Sequence, residues 1–282
     1  DLTGARLEET VLARANLRGA KLASARARGV NLGKAELEGA DLGGADLERA
    51  VFVGARLSRT KLAGARLEKA DFLDAVLGDS DFSGVHAPGA KFLKNALPGS
   101  VFAGANLERA LFLEANLTRA DFSGAILERA SFITVKADDA RFVAVKAAKL
   151  RVAKDSSFDR ADFSRAELTS ANLRATRLER ARFDDARLDE ADLSESVANE
   201  ASFARARARK ARFIGTNLDG ADLGQIDLLG GSLMKASLRG ASLAGANLFA
   251  VDFARTRGDA ATSMKGANVK RVRVTPKRPD GS

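Results

Sequence analysis

The sequence predicts an all-β solenoid built from stacked five-residue units, and three observations carry that expectation. Starting at Leu2, every fifth residue to Val152 is apolar, and the same holds stepping from Phe158 to Phe253. Two residues before each of these centres the chain prefers Ala, and 17 of the 25 Gly lie two residues after one. A helix repeats near 3.6 residues and a flat strand near 2, so a strict period of five defines a unit of its own.

Each unit reads as a short extended side followed by a corner. The centre, n, points inward and is almost always Leu or Phe; 15 of the 16 Phe fall there, and only Phe249 escapes. The small residue at n−2 also points inward, so large and small side chains alternate around the coil. Corners fall at n+1 and n+2. Pro88–Gly89 and Pro98–Gly99 occupy these two places after Ala87 and Leu97. Pro then Gly is the central pair of a type II turn, with Gly supplying the positive φ. Many corners, especially in the second half, carry Arg, Asp or Glu instead, which predicts negative φ there and a corner geometry that changes along the chain.

Segments such as ADLGGADLER at 40–49 and ANLERALFLEANLTR at 105–119 resemble the pentapeptide-repeat family, whose motif is roughly A(D/N)LXX. The resemblance covers residues 1–254. It implies a right-handed quadrilateral β-helix with four units per coil, hence about 13 coils. Four-sidedness has a signature of its own, because residues 20 apart should then stack. Phe52, Phe72, Phe92, Phe112 and Phe132 form one such column, and Phe82, Phe102, Phe122 and Phe142 a second on the opposite side. Outside, Asp1, Lys21, Asp41, Lys61 and Asp81 alternate in sign along one column, an arrangement that favours stacking.

The register slips by one residue between Val152 and Phe158, in the stretch 153–157, where a bulge or short corner loop is expected. Counting it as one enlarged side puts Phe163, Phe183 and Phe203 on the column of Phe142, which favours one continuous coil. Ala137, Ala147, Leu150 and the 85–100 segment, with His86 and an inward Asn95, fit the pattern poorly and are expected to distort it. After Phe253 the repeat decays, and residues 255–282 read as a basic flexible tail. The chain opens at Asp1 inside a repeat, so it is expected to belong to a longer, bacterial polypeptide.

The formal charge of +9 sits mostly in that tail, which has eight Lys/Arg and two Asp; the rest carries only +3. There is no Cys and one His, and acidic pairs such as Asp138–Asp139 point to different sides of a coil. No nucleophile, phosphate-cradling loop, metal site or cofactor site is expected, and the period itself explains the Gly-x-x-x-x-Gly spacings. The glycine-rich nonapeptide of calcium-binding β-rolls is absent. No apolar run is long enough to span a membrane. The compartment stays open, with the cytoplasm as default.

Some members of the family that this chain resembles are DNA mimics acting on type II topoisomerases through a strongly acidic surface. A near-neutral body lacks that charge, which counts against a gyrase-type partner. Nucleic acid could meet Lys270, Arg271, Arg273, Lys277 and Arg278 of the tail, but interleaved aromatics are missing, so only weak, salt-sensitive contact is expected. Outward and apolar are Val53, Leu73, Leu93, Leu113 and Ile133, each following a Phe of the first column, with Val51 and Leu111 beside them. Ile214 and Met234 resume the same side if the slip keeps the faces aligned. This stripe is the candidate interaction site, and the expected function is a non-enzymatic scaffold that binds a protein partner or an adjacent domain. A domain of a secreted or injected effector is the further alternative.

Overall fold

The computed structural model describes residues 1–275. The chain forms two compact units, Asp1–Lys146 and Ala147–Ser282, each a right-handed quadrilateral β-helix. Adjacent coils are zipped from both sides of every centre. Leu42 N–H donates to Lys61 O (2.7 Å) in the next coil, and Asp41 N–H donates to Ala20 O (2.9 Å) in the one before. Outward residues at n−1 bridge in parallel 20 residues apart, as in Asp41↔Lys61. In three coils of the first unit the extended side is longer. This gives β1 (Lys91–Leu93), β2 (Leu111–Leu113) and β3 (Ser131–Ile133), with Leu93, Leu113 and Ile133 in register. A fourth strand, β4 (Arg151–Ala153), lies in the second unit.

The corners do not change along the chain. Positive φ recurs at n+2 whatever the residue: Gly44 has +62°, Arg49 +57°, Lys69 +55° and Glu190 +59°. The expectation of negative φ at non-Gly corners is therefore wrong, and the hydrogen bonds supply the reason. The n+3 N–H must reach back to the n carbonyl, as Ala50 does to Leu47 (3.0 Å), while the n+2 N–H donates into the next coil, as Arg49 does to Glu68 O (2.9 Å). Both bonds are lost unless n+2 is left-handed. The ladder thus outweighs a side-chain cost of about 1 kcal/mol per corner.

The Asp or Asn of the motif has a role at the same corner. Its carboxylate or amide oxygen at n−1 accepts from the n+1 N–H, which points away from the ladder: Asp41 from Gly43 (3.0 Å), Asp71 from Leu73 (3.0 Å), Asp222 from Gly224 (2.8 Å). At three corners of the second unit where n−1 is not Asp or Asn, another donor–acceptor pairing is used. Asp at n+1 of the preceding coil accepts instead: Asp159 from Glu179 (3.0 Å), Asp189 from Arg209 (3.1 Å), Asp219 from Arg239 (2.9 Å). Arg177 and Arg207, at the vacated n−1 positions, then pair with those same carboxylates at 2.6 and 2.8 Å.

The cores are as the 20-residue period predicts. In the first unit Phe52, Phe72, Phe92, Phe112 and Phe132 stack with ring centroids 4.7–4.9 Å apart, and Phe82, Phe102, Phe122 and Phe142 do likewise. The two columns meet edge to face, at 5.6 Å between Phe92 and Phe102. In the second unit Phe163, Phe183 and Phe203 stack at 4.9 Å. Small centres are not distortions. Val30 and Val85 fill n−2 or its next equivalent beside Ala27 and Ala87, and Leu150 does so beside Ala147; all are buried, as is Ala137. Volume lost at a centre is recovered next to it. Inward hydroxyls at n−2 donate to a carbonyl one coil back, as Thr60 does to Leu37 O (2.9 Å) and Ser100 to Leu77 O (2.8 Å).

The slip at 153–157 is a one-residue bulge at a corner. Lys154 and Asp155 are consecutive left-handed residues, and Ser156 Oγ donates to Ala153 O (2.7 Å). Before it Asn172 N–H donates to Leu150 O; after it Arg177 N–H reaches Ser156 O, one residue shorter in spacing.

The boundary at 254 does not hold. Coiling continues to the end of the described residues, with Ser263 bridged to Ser242, Asn268 to Asn247 and Arg273 to Asp252. A second one-residue insertion at 258–262 shifts the register, so Met264, Val269 and Val274 are centres, with Thr262, Ala267 and Val272 at n−2. Asp259 holds the insertion by accepting from Gly240 N (2.9 Å), Ala261 N (3.0 Å) and Thr262 N (3.1 Å). The tail cations Lys277 and Arg278 lie outside the described residues.

Candidate interaction surface

In the first unit the candidate residues form a continuous outward column. Val53 and Leu73 are joined through Gly54 N–H to Leu73 O (2.8 Å), Leu73 and Leu93 through Asp74 N–H to Leu93 O (2.9 Å), and Leu113 and Ile133 follow in strand register. Because consecutive side chains lie on one another, each is half-buried, where the sequence suggested a fully solvent-facing stripe. Val51 and Leu111 flank it, also half-buried, with Asp71 and Lys91 between them in the neighbouring column. The face is therefore an apolar ridge one side chain wide, with a charged margin.

Ile214 and Met234 form a separate pair in the second unit, linked by Gly215 N–H to Met234 O (2.8 Å). They floor a shallow groove of about 430 Å³ whose walls include Lys235, Asp252, Arg255 and Arg273. The coil at the end of the described residues also leaves inward positions accessible: Met264, Val269 and Val274 are 39%, 46% and 67% exposed.

Several surface charges pair with one another. In the second unit Arg205 grips Asp185 through two bonds of 2.8 Å, Arg180 meets Glu200 at 2.8 Å and Arg209 meets Asp227 at 2.6 Å. Hydrogen bonds from these guanidinium groups hold the Asp185 and Glu200 carboxyls below their ordinary range. Asp227 is pushed up by burial, but bonds from Arg209 and Asn247 prevail and lower it. Asp259 is lowered first by the Gly240 N–H. These shifts have structural causes at coil corners and mark no reactive pair. His86 is outward and exposed, 3.5 Å from the Asn106 amide. Among the described residues no group of three or more His, Cys, Asp or Glu could hold a metal, and no helix is long and apolar enough to cross a membrane.

The family model for pentapeptide repeats matches residues 1–38, 31–68, 60–92, 99–133, 154–185, 186–225 and 216–255. The chain belongs to the pentapeptide-repeat family. Similar solved structures include HetL, a pentapeptide-repeat protein involved in heterocyst differentiation regulation from the cyanobacterium Nostoc sp. strain PCC 7120. It is 26% identical, with 86% of each chain covered and a TM-score of 0.41. A trypsin-treated form of QnrB1, a plasmid-mediated fluoroquinolone resistance protein, is 20% identical, covering 64% of this chain and 90% of its own, with a TM-score of 0.35. No match was found among curated proteins.

Proposed function

We propose that the chain is a non-enzymatic interaction scaffold whose first unit receives a protein partner, or an adjacent domain, on the Val53–Ile133 ridge. The observation that carries this reading is the ridge itself: five apolar residues on five consecutive coils, outward and in register, beside columns that otherwise bear charge. Contiguous apolar surface rimmed by polar residues is what docking sites present. A rigid coil holds such a ridge with little ordering cost, since the carbonyl of each ridge residue already accepts from the neighbouring coil. The surface chemistry supports recognition over catalysis, because the perturbed carboxyls are tied to structural guanidinium or backbone groups.

The variant Leu93→Asp plus Leu113→Asp tests this. It is expected to keep the β-rich circular dichroism spectrum of the wild type and to lose at least tenfold in partner capture. Unchanged capture by a folded variant rejects the ridge. Inhibition of gyrase supercoiling at stoichiometric protein would instead restore the topoisomerase reading.

A further inference from the structure

The groove floored by Ile214 and Met234 has chemistry that the ridge lacks. Its four coils bring together, by backbone bonding, Ile214 with Met234 (Gly215 N–H to Met234 O, 2.8 Å) and Lys235 with Arg255 (Lys235 N–H to Ala254 O, 2.9 Å). Lys235 and Arg255 occupy the same corner position on consecutive coils, and both are exposed. At that position elsewhere in this unit, Arg180 and Arg205 each meet a carboxylate one coil away. Lys235 and Arg255 instead face each other with like charge, and neither makes an ion pair among the described residues. Like charges stacked on neighbouring strands repel. The one acid among the described residues lining the groove, Asp252, is already engaged, accepting from Ala254 N (2.9 Å) and pairing with Arg273. What remains is an apolar floor beside two uncompensated cations.

We infer that this groove binds an extended acidic peptide segment of a partner, with an aliphatic side chain set on Ile214 and Met234 and carboxylates on Lys235 and Arg255. The inference extends the scaffold reading to a second surface and rests on it. Charge complementarity selects an anion, and the floor selects its neighbour: a purely anionic ligand would leave Ile214 and Met234 unused. Nucleic acid fits less well, because no described residue lining the groove offers an aromatic face for a base, and Phe249, in the same unit, is taken by Arg271, 5.4 Å above its ring. With coils about 4.8 Å apart, the groove spans roughly 15 Å, enough for four or five extended residues at about 3.3 Å each.

The full chain is titrated against a fluorescein-labelled decapeptide alternating leucine and glutamate, read by anisotropy at two salt concentrations. Saturable binding is expected, weakened at least tenfold by Lys235→Glu plus Arg255→Glu and likewise by Met234→Asp. The same peptide with lysine for glutamate should not bind, and an all-glutamate peptide should bind more weakly. Arg49→Glu plus Lys69→Glu, a matched like-charge pair in the first unit, should leave the affinity unchanged. So should Leu93→Asp plus Leu113→Asp, which separates failure of this groove from failure of the ridge. Equal binding by the lysine peptide, or unchanged affinity in the folded groove variants, overturns the inference. Tighter binding of a labelled oligothymidine that displaces the peptide would make the site a polyanion surface and overturn it too.

Discussion

Replacing Phe92 by Ala should be among the costliest single truncations in the first unit. Phe92 is fully buried, stacks on Phe72 (4.9 Å, 3° between planes) and Phe112 (4.7 Å, 4°), and meets Phe82 and Phe102 edge-on at 5.9 and 5.6 Å. Phe to Ala in a core costs about 3–5 kcal/mol through lost transfer and cavity terms. Four ring contacts place this site at the upper end, about 5 kcal/mol, since each such pair adds roughly 0.5–1.5 kcal/mol beyond its area, though not additively. Phe92→Leu removes the rings yet keeps most of the volume, and Leu is the residue at most other centres. It should cost about 2 kcal/mol, four aromatic pairs at the low end of roughly 0.5 kcal/mol each. The chain has no Trp or Tyr, so urea unfolding is followed by far-ultraviolet circular dichroism, comparing midpoints and slopes. A Phe92→Ala cost under about 2 kcal/mol, or equal costs for Ala and Leu, would refute the argument that stacked rings organise this core.

Asn95→Ala is expected to stabilise the first unit by about 1 kcal/mol, because it removes a buried Oδ1 without a partner at a site where Ala75 and Ala115 stack on either side. The Asn95 amide donates to Phe72 O (2.5 Å) and Ala75 O (2.8 Å). A lower urea midpoint for Asn95→Ala would show that these bonds outweigh the orphan oxygen. Acid should weaken the second unit through Asp185, Glu200, Asp227 and Asp259, whose folded-state pKa values are depressed. Such groups stabilise the fold above their unfolded pKa and give that up as pH falls through the folded one. Stability should therefore hold from neutral pH to about 5 and fall below about 4. Asp185→Asn plus Glu200→Gln should flatten that fall; an unaltered pH profile would contradict it.

The coil and its core were legible because both rest on spacing. A five-residue period survives any choice of apolar residue, and a 20-residue period in Phe exposes the four sides, so the ring stacks needed no coordinates. Legibility failed where geometry overrides residue preference. Arg49, Lys69 and Glu190 look unfit for left-handed corners, but two ladder bonds at each corner set φ, and the sequence shows neither bond. The stretch after Phe253 conceals its repeat for a different reason. One inserted residue displaced the frame, and Met264, Val269 and Val274 still stand five apart with small residues at n−2. In a shifted frame the period includes them, as it does across 153–157. For the candidate site, the column Val53–Ile133 followed from the period, whereas its half-burial depends on how neighbouring side chains lie together. The cations beside Ile214 and Met234 were hidden by composition, because Lys235 and Arg255 differ from the paired corner arginines only in what stacks against them.

We propose that recognition runs along the Val53–Ile133 ridge. The direct measurement is amide hydrogen exchange of the chain alone and with its captured partner. Added protection should concentrate at the corner amides of Val53, Leu73, Leu93, Leu113 and Ile133, which donate to no ladder carbonyl. Protection confined to other columns, with these amides exchanging at their free rates, would contradict it.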